Sequence, residues 1–298
     1  MKKLFTITLI CLFVVIPVFS QNSEDSTENH QRHHWADWKE KIDFIRAGFH
    51  GHPTISLLYG LSRMYQKDVQ RNYADPNLLE LKIGYTRERP HYEDEGLINY
   101  KYHYMQLSYF STELANTQAN PDVQSKMWRI GFGEATGYGY DFSNSTFIPY
   151  YSSGLMWSRV EMLPDKVLTF AALPPSGLED FDQTIRFGTT AEGGFRFNFA
   201  NHYTLEAGYE RSIIFKRHLF AKWAMSAILE SIAQSAVDKF VDEVLYASPN
   251  AAPIVNFVLK NALAYGYYEL RRSKMNWPFN TEPPLTFDQF KFGMTIVF

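Results

Sequence analysis

The sequence predicts an all-β membrane fold: an antiparallel transmembrane β-barrel of eight strands, or ten, with an α-helical pair inserted before the last strand. Three observations lead there. The final segment alternates large apolar residues (Phe290, Phe292, Met294, Ile296, Phe298) with Gln289, Lys291, Gly293 and Thr295, and only Val297 breaks the pattern. A period of two makes a strand with unlike faces, and soluble proteins avoid exposing so apolar an edge. Earlier segments repeat the pattern. Finally, aromatics make up 16% of the chain, with 24 Phe and 19 Tyr. A barrel uses that load on its lipid face and in its interfacial girdles.

The amino terminus reads as a signal peptide over residues 1–20. Lys2 and Lys3 form a basic start, Leu4–Val18 an apolar run too short to span a bilayer comfortably, and Val18-Phe19-Ser20 a processing-like triplet. The single cysteine, Cys11, lies in that run after Ile10, a context unsuited to lipidation, so thiol chemistry is excluded from the mature chain. Without Lys2 and Lys3, 27 basic side chains face 32 acidic ones, a balance that argues against nucleic acid. Mean hydropathy is −0.29, and after residue 20 no stretch reaches 18 uncharged apolar residues, so no spanning helix is expected.

Residues 21–53 read as a periplasmic leader. The polar run 21–34 carries His30, His33 and His34, read as solvated because no further ligand stands at a firm spacing. Trp35, Trp38, Ile42 and Ile45 fit a short amphipathic helix, against the membrane surface or the barrel base.

The barrel is expected over 54–298. Strand one is Thr54–Ser62, with Ile55, Leu57, Tyr59 and Leu61 outward and Leu58 an inward exception. Strand two, Leu78–Arg87, turns Glu80 and Lys82 inward. Strand three, from Asn99 to about Ser111, sets a row of Tyr100, Tyr102 and Tyr104 opposite an inward Lys101 and His103, with a bulge near Gln106. Strand four starts near Lys126, turns Arg129 inward and is interrupted at Glu134–Thr136. Strands five, six and seven are Thr146 to about Val160, Thr184–Phe199 and Tyr203 to about Ile213. Strand eight is the terminal stretch. Ile42–Phe49 and Leu263–Leu270 would raise the count to ten. Short links at Ser143–Ser145 and Ala200–His202 fit periplasmic turns; the link ERPHYEDEGLI after strand two is long for one.

Residues 215–285 form the insertion. Leu219, Phe220, Trp223, Ala227, Ile228, Ile232, Val237, Phe240, Val241, Val244 and Leu245 recur at helical steps opposite Lys222, Glu230, Gln234, Asp238 and Asp242. Ser248-Pro249-Asn250 breaks the helix, Pro253 suits a first turn, and a second helix follows. The topology places the pair outside the cell, packed on itself, capping the barrel mouth, sunk in the outer leaflet, or meeting an extracellular partner through residues 217–270.

The terminal residues resemble the outer-membrane β-signal, with Lys291, Gly293, Ile296 and Phe298 in its polar, glycine, apolar and aromatic slots. The resemblance implies recognition by the barrel-assembly machinery and a place in outer-membrane lipid. With the strands, it makes the chain similar to small outer-membrane barrels of the OmpA/OmpX type. The large helical insertion departs from that type, so no function is carried over.

Inward ionisable residues are Glu80, Lys82, Lys101, Arg129, Arg186, Glu192, Arg196, Glu206, Glu210 and Lys291. A barrel of eight strands is filled by side chains, so Glu80, Lys82, Arg129, Arg196, Glu206, Glu210 and Lys291 are expected to pair into a lumen charge network. A small ion path is the alternative. A lipid-modifying enzyme is a third class, with Ser152, Ser153, His103 and Glu134 as scattered pieces; His50 and His52 lie on the wrong side for the outer leaflet. No cofactor or metal is implied. The leading expectation is a structural or partner-binding outer-membrane barrel with a side-chain-filled lumen.

Overall fold

The computed structural model describes residues 51–67, 75–90, 96–114, 123–142, 144–164, 180–200 and 202–298. The signal-peptide and leader readings, the helix at Trp35–Ile45, the strand option Ile42–Phe49, and His30, His33, His34 and His50 lie outside the described residues.

Period-two hydrophobicity yields eight strands: β1 His52–Gln66, β2 Asn77–Pro90, β3 Leu97–Ser111, β4 Val123–Asp141, β5 Thr146–Pro164, β6 Ile185–Ala200, β7 Tyr203–Ile214 and β8 Leu285–Val297. Each pairs antiparallel with the next, and β8 pairs back with β1 in a closed barrel. Closure leaves no edge strand. The terminal stretch is the closing stave: Thr54 sits opposite Val297 and Gln66 opposite Leu285. The Phe298 N–H donates to Pro53 O at 2.9 Å. We call the end bearing His52 and Val297 the terminal end, and the end bearing Gln66 and Leu285 the distal end. Three links turn at the terminal end: residues 91–96, 142–145 and 201–202. The first is shorter than the sequence suggests, because β2 continues through Pro90 and β3 starts at Leu97.

Side chains alternate as the pleat requires. Leu57, Leu61, Leu79, Ile83, Trp128, Ile130, Phe132, Leu205, Phe290 and Phe292 are exposed on the outside, whereas Glu80, Lys82, Arg129 and Lys291 are buried inside.

Three expectations about strands are corrected. Tyr100, Tyr102 and Tyr104 face the lumen and are buried; Lys101 and His103 face outward. No bulge occurs at Gln106, since β3 keeps one register against both neighbours. The polar Gln106 and Ser108 already point inward, and continuing their parity carries the tyrosines in with them. Strand β4 is likewise unbroken at Glu134–Thr136, with Ala135 buried inside.

The insertion folds as α1 Phe220–Ala247 and α2 Ala252–Ser273, joined by a 3-10 turn at Pro249–Ala251. Leu263–Leu270, the remaining candidate for an extra strand, is helical and belongs to α2, so the closed barrel among the described residues has eight strands.

The hairpin is not a cap on the mouth. Every strand residue it touches points outward, and those residues run from one end of the barrel to the other. At the distal end Trp223 meets Phe187 with ring centroids 5.1 Å apart, and Tyr268 clusters with Ile213, Phe215 and Met275. Midway, Phe257 packs on Phe195 at 4.8 Å. At the terminal end Val241, Leu245 and Ala252 bury Leu97 against Tyr138 and Tyr140, and Tyr140 Oη donates to Asn250 O at 2.7 Å. The hairpin therefore lies along the outer wall, chiefly over β4 to β7. Gly193 permits its close approach: a Cβ there would lie 2.2 Å from Asn261 Oδ1.

Candidate functional site

The lumen is filled in three layers. At the distal end Met64, Leu78, Phe110, Met127, Met156, Val160, Phe181, Ile214, Leu285 and Phe287 form a buried apolar cluster. All but Phe181 come from inward strand positions, and Phe181 enters from the chain before β6. At the terminal end Tyr100, Tyr102, Tyr104, Ala135, Ile148 and Tyr150 form a second cluster, rich in tyrosine. The close approach of rings to the opposite wall needs glycine: a Cβ on Gly133 or Gly194 would fall 2.5 Å or 2.6 Å from the rings of Tyr104 and Tyr150.

Between these layers lie the charges. Arg129 bridges Glu80 and Glu210, with Nη2–Oε2 and Nη1–Oε1 both 2.6 Å. Lys291 Nζ touches three carboxylates, Glu80 at 2.7 Å, Glu192 at 2.8 Å and Glu210 at 2.6 Å. Lys82 reaches Glu192 at 3.2 Å and Glu206 at 3.4 Å. Arg196 reaches Glu206 at 3.3 Å and stacks over Tyr100. All eight side chains are at most 3% exposed. Four acids thus meet four bases in one neutral cluster, as buried charge requires.

Neutral donors occupy much of the remaining hydrogen-bonding capacity. Tyr150 Oη donates to Glu192 at 2.6 Å and Glu206 at 3.0 Å. Ser108 donates to Glu80, Ser212 to Glu210, and Thr295 to Glu206. Among the described residues, Arg196 Nε and Nη2 have no hydrogen-bond partner.

The structure thus brings Glu80, Lys82, Arg129, Arg196, Glu206, Glu210 and Lys291 together and adds Glu192 as a full member. It does not bring in Lys101 or Arg186. Lys101 lies on the outer wall, paired with Glu134 at 3.1 Å. Arg186 sits at the distal rim and donates to Lys216 O at 2.7 Å. There Lys216 Nζ, 2.8 Å from Asp180, holds that carboxyl below its ordinary range.

Among the described residues one group has metal-ligand geometry: carboxylate oxygens of Glu80, Glu192 and Glu210 within 4.8 Å of one another. Lys291 Nζ contacts all three of these carboxyl groups, so the cation in that site is an ammonium.

Of the residues that could serve nucleophilic chemistry, Ser152 is buried in the lumen, its Oγ 2.7 Å from Tyr104 Oη. Ser153 lies outside, directly across from Glu134. His103 lies across from Glu134 on the other side, Nδ1 to Oε2 3.1 Å. The acid therefore stands between serine and histidine, which are two strand spacings apart, about 10 Å. A base must touch its nucleophile, and this order separates them. His52 Nδ1 lies 3.2 Å from the main-chain oxygen of Phe298, at the terminal seam.

In the β-signal-like segment, Lys291 enters the charge layer. Gly293 pairs with Leu58 and Glu206. A Cβ on Gly293 would lie 2.1 Å from Leu57 O. Phe298 is exposed on the outside.

The outer wall carries a second arrangement. Arg271, 6% exposed, lies beneath α1, its Nη1 2.6 Å from Glu230 and its Nη2 3.1 Å from Ser226 Oγ. Lys260 pairs with Asp238 at 2.6 Å. The helix faces follow the sequence expectation at Val241 and Leu245, which are buried, and depart from it in the middle of α1. Ile228, Ile232 and Phe240, assigned to the buried face, are 54%, 63% and 56% exposed, while Ser226 is buried. Among the described residues, no helix is long and apolar enough to cross a membrane by itself.

No family model matches the chain, and no curated protein does. Solved structures similar to it include Neisserial surface protein A, at 11% identity and TM-score 0.40 over 83% of this chain and 97% of that one. Ail, the attachment invasion locus protein of Yersinia pestis, aligns at 9% identity and TM-score 0.35, covering 83% and 99%. The outer membrane enzyme PagL aligns at 8% and 0.37, covering 82% and 98%. Likeness of this size carries neither residue correspondence nor activity.

Proposed function

We propose that the chain is an outer-membrane barrel with a structural or partner-binding role, working through its exterior and not through its lumen. The carrying observation is the filled interior: an apolar layer, a neutral cluster of eight buried charges and a tyrosine layer in series. Insertion in lipid is supported by the exposed apolar belt, since Leu57, Leu61, Trp128, Phe132 and Phe292 would aggregate in water. The terminal end then faces the periplasm, and the β-signal resemblance points to the barrel-assembly machinery as the partner in assembly. The surface offered to other partners is the outer wall with residues 217–270.

The test is cell fractionation with gel migration, joined to lipid A mass spectrometry of a deletion strain. The proposal expects a heat-modifiable band in the outer-membrane fraction and an unchanged lipid A spectrum. Absence from that fraction, or an acylation change restored by complementation, overturns it.

A further inference from the structure

We propose that the α1–α2 hairpin lies within the bilayer, its outward face covered by lipid acyl chains, and that its tip at Ser248–Ala251 returns to the periplasmic face. The inference rests on the membrane reading above and goes beyond it. A link between β7 and β8 leaves from the distal, outer end, and would otherwise be counted as an extracellular loop.

Three observations carry it. The first is the contact path: Trp223 touches the wall at the distal end, and Val241 and Leu245 touch it at the terminal end. Eighteen residues separate Trp223 from Val241, about 27 Å of helical rise, against a hydrocarbon core of about 30 Å.

The second is where charge sits. None of the exposed side chains between Lys222 and Asp238 on α1 is ionisable; they include Met225, Ile228, Leu229 and Ile232. The same holds on α2 from Ile254 to Tyr268, which exposes Val258 and Tyr265, with Glu269 and Arg272 paired just beyond. The two charge-free stretches rise about 24 Å and about 21 Å, close to the apolar band of about 25 Å on an outer-membrane barrel. Glu230 within the belt is turned inward to Arg271, and the mostly buried Lys260 reaches out to Asp238, which is exposed at the end of the charge-free stretch. Pairing of this kind is what a membrane interior enforces. Exposed Lys239, Asp242 and Glu243 gather near the tip, and Lys274 lies past the other end.

The third is the middle of α1, where apolar side chains are turned out. A helix docked on a soluble protein buries its apolar stripe and exposes polar groups. Here α1 exposes Ile228 and Ile232 while burying Ser226 and turning Glu230 inward to Arg271. Neither helix alone suffices as a membrane span; the barrel wall and the partner helix supply the polar contacts that a single span would lack.

Single-cysteine labelling tests this in whole cells with a membrane-impermeant maleimide. The unsubstituted chain, whose only cysteine is Cys11, serves as the blank. The variants are Lys274→Cys, Ser248→Cys and Ile232→Cys, each accepted only if its band remains heat-modifiable. The expected pattern is labelling of Lys274→Cys in intact cells, of Ser248→Cys only after the outer membrane is permeabilised, and of Ile232→Cys only after denaturation. Labelling of Ser248→Cys in intact cells at the Lys274→Cys rate overturns the proposal. So does labelling of Ile232→Cys in native membranes, or its quantitative oxidation to a disulfide-linked dimer, which would put a second copy where lipid is proposed. Failure of Lys274→Cys to label would instead count against the barrel's orientation.

Discussion

Replacing Arg129 by Met would strike the charge layer at its most connected cation. Arg129 is fully buried and holds Glu80 and Glu210 at 2.6 Å each, with further hydrogen bonds to Ser108 at 3.2 Å and Ser212 at 3.1 Å. Met is of comparable length and leaves little void. The loss is therefore electrostatic: Lys82, Lys291 and Arg196 must serve four buried acids. Removing one partner from a buried pair costs about 3–5 kcal/mol, and this change deprives two carboxylates at once, so the upper half of that range is expected. Adding Glu210→Gln returns the layer to neutrality and leaves two carboxylates, Glu80 and Glu192, on Lys291. Coupling between the two changes is expected at about 1–3 kcal/mol, as for residues in one network. The assay is urea unfolding of the barrel refolded into lipid, following the heat-modifiable band. A cost below about 1 kcal/mol for Arg129→Met, or additivity of the two changes, would refute the paired cluster and imply that water screens these groups.

Three further outcomes follow from the same structure. Gly193→Val should loosen α2 from the wall by about 1–3 kcal/mol, because the added Cβ lies 2.2 Å from Asn261 Oδ1; faster hydrogen exchange of α2 with unchanged exchange of β1 and β8 would show it, and pairing the change with Asn261→Ala should restore protection. Deleting Phe298 should impair assembly in cells, as the β-signal resemblance implies, while refolding in detergent proceeds; equal assembly in cells would count against the assignment. Excising 217–280 onto a short link should still allow the barrel to close, since Ile214 pairs with Leu285 without help from the helices; loss of the heat-modifiable band would place the hairpin among the elements the barrel needs in order to form.

Most of the barrel was legible because the pleat writes itself into the sequence. β1, β2, β7 and β8 alternate so regularly that their inward residues could be named, and seven of the eight cluster charges followed from parity alone with Glu192 on the same inward face. β3 misled because tyrosine suits both a lipid interface and a packed lumen. The parity of Gln106 and Ser108 runs unbroken through the tyrosines, with no bulge between them. Lys101 was counted inward for the same reason. The hairpin misled differently. Spacing shows which residues share a helix face, but not whether that face meets protein or lipid. Ile228 and Ile232 are exposed while Ser226 is buried against Arg271 of the other helix. The buried partnership of Arg271 with Glu230 joins residues on two helices, and no local pattern announces it.

Single-channel recording of the purified barrel in planar bilayers tests the closed lumen most directly. The layers of Phe110 and Phe287, of Arg129 and Lys291, and of Tyr100 and Tyr150 predict a silent trace at all applied potentials. Reproducible conductance steps that change size in a Glu210→Gln variant would contradict the account, by showing that ions pass through the charge layer.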